Sequence, residues 1–109
     1  MEKSRWSSTF FKRFILNNKI MKIKIELFGA SRDFSNQDLL EFDVDSHSTI
    51  KDIRKKMLNY LDINFNGNEN FKKIVNSSAF CSENNNIISD NYKITKNEKI
   101  AIIPPIGGG

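Results

Sequence analysis

Seven consecutive residues, Lys22-Ile-Lys-Ile-Glu-Leu-Phe28, alternate apolar side chains with a period of two. Successive side chains of a strand point to opposite faces, so Ile23, Ile25 and Leu27 share one face while Lys22, Lys24, Glu26 and Phe28 share the other. A helix would scatter these residues around its axis. The segment therefore commits the chain to a sheet with one buried face, and Gly29-Ala30-Ser31 ends the strand. Leu40, Phe42 and Val44 alternate with Glu41, Asp43 and Asp45 in the same way. They predict a second strand that can pair with the first as a hairpin across a long loop.

The period then changes. Ile50, Ile53, Met57, Leu58 and Leu61 fall on one face of a helix of about four turns. Ser48 is the expected N-cap, since its hydroxyl can accept from an unpaired backbone amide. Asp52 and Lys56 are four apart in the favourable order. Residues 62–70 read as a loop around Asn66-Gly67. Phe71 to Asn76 is expected to be a third strand, continuing toward Phe80. The polar, Asn-rich stretch 82–91 reads as a loop holding a short strand at Ile87-Ile88. Asn97-Glu98 predicts a turn, and Lys99 to Ile103 a last strand, apolar enough for the middle of a sheet.

The resulting order is strand, strand, helix, strand, short strand, strand. One main helix must then cover one face of a mixed sheet of four to five strands. The first and last strands are expected to run parallel at its centre, with the helix in the crossover. This is an α+β chain of the β-grasp, or ubiquitin-like, arrangement. The 109 residues leave room for only one core.

The charge lies outside that body. The net charge is +4, and residues 1–20 alone hold five basic side chains against Glu2. Residues 21–109 carry twelve of each sign and are neutral. The excess thus belongs to a basic N-terminal extension, expected to be flexible, and gives no basic stripe for nucleic acid. An inert extension is the simplest reading of 1–20. An organelle-targeting segment is the second, since Arg, Lys and Ser mix with Phe10, Phe11 and Phe14 and acid is scarce. Translation starting at Met21 is a third. The apolar run is too short to span a bilayer. Cys81 and His47 are the only residues of their kinds. That excludes an internal disulfide and a Cys/His zinc cage, and no metal site is expected. Neither a P-loop nor a GxGxxG motif is present.

The last six residues, Pro104-Pro105-Ile106-Gly107-Gly108-Gly109, are the exception. Proline fixes φ and keeps Ile103 extended. The tail is expected to leave the domain as a stiff rod of roughly 3.1 Å per residue, about 15–20 Å in all. Glycines without side chains suit a narrow channel in another protein. A free carboxylate is a poor electrophile and needs activation, and nothing in this chain binds ATP. The physical reading is a carrier whose reactive group is Gly109, served by a partner that uses ATP.

The run Asn97-Glu-Lys-Ile-Ala-Ile-Ile-Pro-Pro-Ile-Gly-Gly-Gly109 resembles the end of the small subunit of molybdopterin synthase, the sulfur carrier of molybdenum cofactor biosynthesis. Its apolar strand is most similar to the eukaryotic branch. Lys22 to Phe28 with Arg32-Asp33, and Ile74-Val75-Asn76, are similar to earlier parts of that family. The resemblance covers about 22–109. It implies a domain over 21–103 with a working tail at 104–109 and no catalytic site of its own. It implies that a ubiquitin-activating-like enzyme, using ATP and magnesium, adenylates Gly109 and that a thiocarboxylate follows. The tail would then enter the large subunit of molybdopterin synthase and donate sulfur to cyclic pyranopterin monophosphate. The implied assembly is a heterotetramer of two small and two large subunits in the cytosol. A mitochondrial role for 1–20 is the second reading.

The strand pattern points to a docking face. If Ile23, Ile25, Leu27, Ile100 and Ile102 face the helix, then Phe28, Ala101 and Ile103 face away. Exposed apolar side chains on neighbouring strands suit an interface. Three alternatives stay open. A thiamine-pathway sulfur carrier is disfavoured by Pro104-Pro105. A ubiquitin-like modifier or tRNA-thiolation carrier would use the same glycine. A plain interaction module would leave the tail unexplained.

Overall fold

The computed structural model describes residues 20–106. The extension expected at 1–20 falls outside them except for Ile20. The elements are β1 (Ile20–Leu27), a 3-10 helix (Gly29–Phe34), β2 (Leu39–Asp45) and α1 (Ile50–Asn64). They continue with α2 (Glu69–Ser77), β3 (Ala79–Cys81), β4 (Ile87–Ile88) and β5 (Glu98–Ile103). The five strands form one sheet in the order β2-β1-β5-β3-β4. β1 and β5 are parallel neighbours at its centre, as the element order predicts, while the other pairs are antiparallel.

Period two decides which face is covered. Ile23, Ile25 and Leu27 of β1 and Ile100 and Ile102 of β5 are buried, with Phe80 of β3 beside them. They meet Ile50, Ile53, Met57 and Leu61 of α1 in one core that includes Phe34, Val75 and Ile94. Each such side chain contributes about 1.5–3 kcal/mol by leaving water. Leu58, at the margin of the helix's apolar stripe, is only partly buried.

Two local expectations are corrected. The cap of α1 is Thr49, not Ser48. Thr49 Oγ1 accepts from the Asp52 N–H at 3.4 Å, and Asp52 Oδ2 accepts from the Thr49 N–H at 2.9 Å, a reciprocal capping box. His47 sits at φ 73°, so the turn is still closing at Ser48 and the helix begins one residue later.

Residues 71–76 are helical, not a strand. Asn68 Oδ1 accepts from the Phe71 N–H at 3.0 Å and caps α2. Asn66 and Gly67, at φ 54° and 68°, stop α1 just before it. Phe71, Ile74 and Val75 then fall on one helical face, and Phe71 stacks on Phe34 and Phe65 with ring centroids 5.1 Å apart in both cases. The main helix therefore shares the sheet face with a second, shorter one.

Arg54 ties α1 to that second helix. Its Nη1 donates to the Val75 carbonyl at 2.6 Å, its Nη2 lies 3.1 Å from Asp90, and its guanidinium sits 4.8 Å over the Phe80 ring. No helix among the described residues is long and apolar enough to cross a membrane.

Candidate functional site

With α1, α2 and the 3-10 helix on one side, the other side of the sheet is open. The register defines what it carries. Glu26 is level with Ala101, and Ala101 with Cys81, which is level with Ile87. One step further along, Leu27 pairs with Ile102 and Ile103 pairs with Ala79. Phe28 follows Leu27 in extended conformation at φ −128° and ψ 154°, so the alternation of β1 carries past its last paired residue. Phe28 is 39% exposed and Ile103 37%. Both line a shallow depression of about 420 Å³ with Ala101, Cys81, Glu26 and Lys99.

The open face is divided. Toward the start of β1 it is charged, with Lys22 paired to Asp43 of β2 at 3.5 Å. Toward the end of β5 it is apolar, through Phe28, Ala101, Ile103 and the exposed Ile87. The tail leaves from this apolar end. Pro104 is half-buried, whereas Pro105 and Ile106 are exposed, Ile106 at 99%. No described part of the domain covers Ile106. Gly107, Gly108 and Gly109 lie outside the described residues.

The structure thus brings Phe28, Ala101 and Ile103 together beside the root of the tail. Sequence reasoning missed Ile87 and Cys81 as members of this face. Their places depend on strand pairing across β3, β4 and β5, which no local pattern encodes. It placed the end of β1 at Gly29-Ala30-Ser31 but missed the 3-10 helix that begins there and the part Ser31 plays in it. Ser31 is fully buried, and its Oγ accepts from the Phe28 N–H at 3.0 Å and donates to the Phe28 carbonyl at 2.6 Å.

Together these features define a β-grasp, ubiquitin-like domain whose second sheet face, apolar at one end, is covered by no described element, with the exposed Pro105 and Ile106 leaving from that end. Solved structures share the fold. A Pyrococcus furiosus protein assigned as molybdopterin converting factor subunit 1 superposes with a TM-score of 0.60 at 15% identity, over 79% of this chain and 99% of that one. SAMP1 of Haloferax volcanii gives 0.58 at 16% identity, over 81% and 99%. A Caldiarchaeum subterraneum ubiquitin gives 0.53 at 19% identity, over 83% and 99%. No protein-family model matches the sequence, and no curated protein matches it.

Proposed function

We propose that this chain is a sulfur carrier of molybdopterin synthesis, of the eukaryotic-like kind, and that Gly109 is its working residue. The observation that carries the reading is the pairing of an apolar docking face, Phe28 with Ile103 and Ala101, with an exposed tail rooted at the same end of β5. Such a face would fix the domain on a partner, and Pro104, Pro105 and the exposed Ile106 leave the domain from the same end. The fold shared with a molybdopterin converting factor subunit supports it.

The chemistry follows from the carboxylate. A ubiquitin-activating-like partner transfers AMP from ATP, with magnesium, to the Gly109 carboxyl and releases pyrophosphate. Hydrosulfide from a sulfur donor then attacks the acyl carbon, the acyl–phosphate bond breaks, AMP leaves, and a thiocarboxylate remains. Docked on the large subunit, the tail delivers that sulfur to cyclic pyranopterin monophosphate. Two carriers supply the two sulfurs of one product, which suits a heterotetramer of two small and two large subunits. The cytosol is the proposed compartment. Incubation with an activating enzyme, ATP and a sulfur donor tests this. Exchange of OH for SH at Gly109 adds about 16 Da to the intact mass. No mass change under conditions that load a known carrier overturns the reading.

A second reading has its own support. One structural neighbour is a small archaeal modifier protein of Haloferax volcanii, and another is a ubiquitin. An activated Gly109 attacked by a lysine amine would make an isopeptide conjugate. High-mass conjugates in cells, lost on deletion of Gly109, would favour it.

A further inference from the structure

A fully buried hydroxyl is retained for the hydrogen bonds it makes. Ser31 is 0% exposed, and both bonds of its Oγ go to the backbone of one residue, Phe28. The Ser31 N–H donates to the same Phe28 carbonyl at 3.1 Å. Phe28 needs this support because β1 ends at Leu27. The next residue, Gly29, turns at φ +56°, and a Cβ there would lie 3.8 Å from Cγ and 3.9 Å from Cδ of Pro104. The first residue of the tail therefore lies beside the turn that Ser31 holds, with room for about one methyl group between them.

We infer that Ser31 is a positioning residue for the tail: its hydroxyl locks the Phe28–Gly29 turn, and that turn sets the direction in which Pro104 leads into Pro105 and Ile106. The inference rests on the carrier reading, because direction matters only if Gly109 must reach a partner's active site. It also explains Gly29. The space beside Pro104 would admit a methyl group, but the positive φ disfavours any side chain. Misplacement of a reacting group by about 1 Å can cost 100-fold in rate.

The test compares Ser31→Ala with Thr49→Ala in the full chain. Each removes a hydroxyl that caps a helical turn, but Thr49 caps α1 and lies away from the tail. At saturating large subunit, with both variants fully folded, Ser31→Ala is expected to slow single-turnover sulfur transfer roughly tenfold, and Thr49→Ala to leave it unchanged. In NMR spectra, the Gly29–Pro104 nuclear Overhauser contact is expected to vanish in Ser31→Ala and persist in Thr49→Ala. If Ser31→Ala keeps both the contact and the rate, the inference is wrong. An equal slowing of both variants also overturns it, since Ser31 would then be only structural. If the wild type transfers no sulfur while Ser31→Ala loses the contact, the carrier reading fails and the positioning role stands. Gly29→Ala, which strains the same turn with Ser31 intact, gives the same readouts should Ser31→Ala not fold.

Discussion

Phe28 and Ile103 stand side by side at the ends of two parallel strands, one register step past the Leu27–Ile102 pair. Leu27 and Ile102 are buried, whereas Phe28 and Ile103 are 39% and 37% exposed. Removing either should therefore cost little stability and much affinity. Phe28→Ala and Ile103→Ala are each expected to weaken binding to the proposed large-subunit partner by about 1–3 kcal/mol. Isothermal titration checks this, and unchanged affinity in both would take the open sheet face out of the docking surface.

Deleting Gly109 moves the terminal carboxyl back to Gly108, roughly 3.5 Å short of its proposed place, and removes no core side chain. The thermal midpoint should stay within a degree or two of wild type, because the core lies wholly between Met21 and Ile102. Sulfur transfer should fall to background. Molybdopterin formation by the shortened chain would refute the carrier mechanism.

Arg54 is the fold's main polar tie, with its side chain only 17% exposed. Arg54→Ala leaves the Val75 carbonyl and the Phe80 ring without their partner, at an expected cost of about 2–3 kcal/mol. Arg54→Lys keeps the charge but lacks the planar fork that serves Val75 and Asp90 together, so it should restore less than half of the loss. Urea unfolding measures both. An Arg54→Ala midpoint equal to wild type would show that the tie contributes nothing.

Asp52 gives the stability a defined acid limb. Its bond from the Thr49 N–H holds the carboxyl below the ordinary value of 3.8, aided by the Thr49 hydroxyl and by Lys55 and Lys51. A lowered folded value means that the carboxylate's contribution is fully present above 3.8 and disappears as pH falls through the lower, folded value. Asp52→Asn should lose that limb, so its stability gap from wild type should be wide at neutral pH and narrow in acid. A gap independent of pH would exclude the mechanism.

Where local rules and tertiary structure agreed, the fold was readable. The alternation of β1, β2 and β5 survived because one sheet face is buried along its length, and the α1 stripe survived because four of its apolar residues meet that face. Residues 71–76 misled because Phe, Ile and Val favour strands in isolation. The contrary signal was present in the Asn68 cap and the helical spacing of Phe71, Ile74 and Val75. Thr49 was overlooked as the cap for a similar reason, since Asp52 three residues on completes a box with it and not with Ser48. The trio Phe28, Ala101 and Ile103 could be placed from alternation alone. Cys81 and Ile87 join the same face only through long-range pairing, and Ser31 matters only because Pro104 returns beside its turn.

The central position of β5 has a mechanical consequence. It is flanked by β1 and β3, and the tail continues directly from its last residue. A pull on the tail acts along the axis of β5, so the ladders on both sides bear the load in shear together and no hydrogen bond is peeled alone. On the proposed carrier reading, such a domain would withdraw its tail from a tight channel after delivery without unravelling, ready to be loaded again.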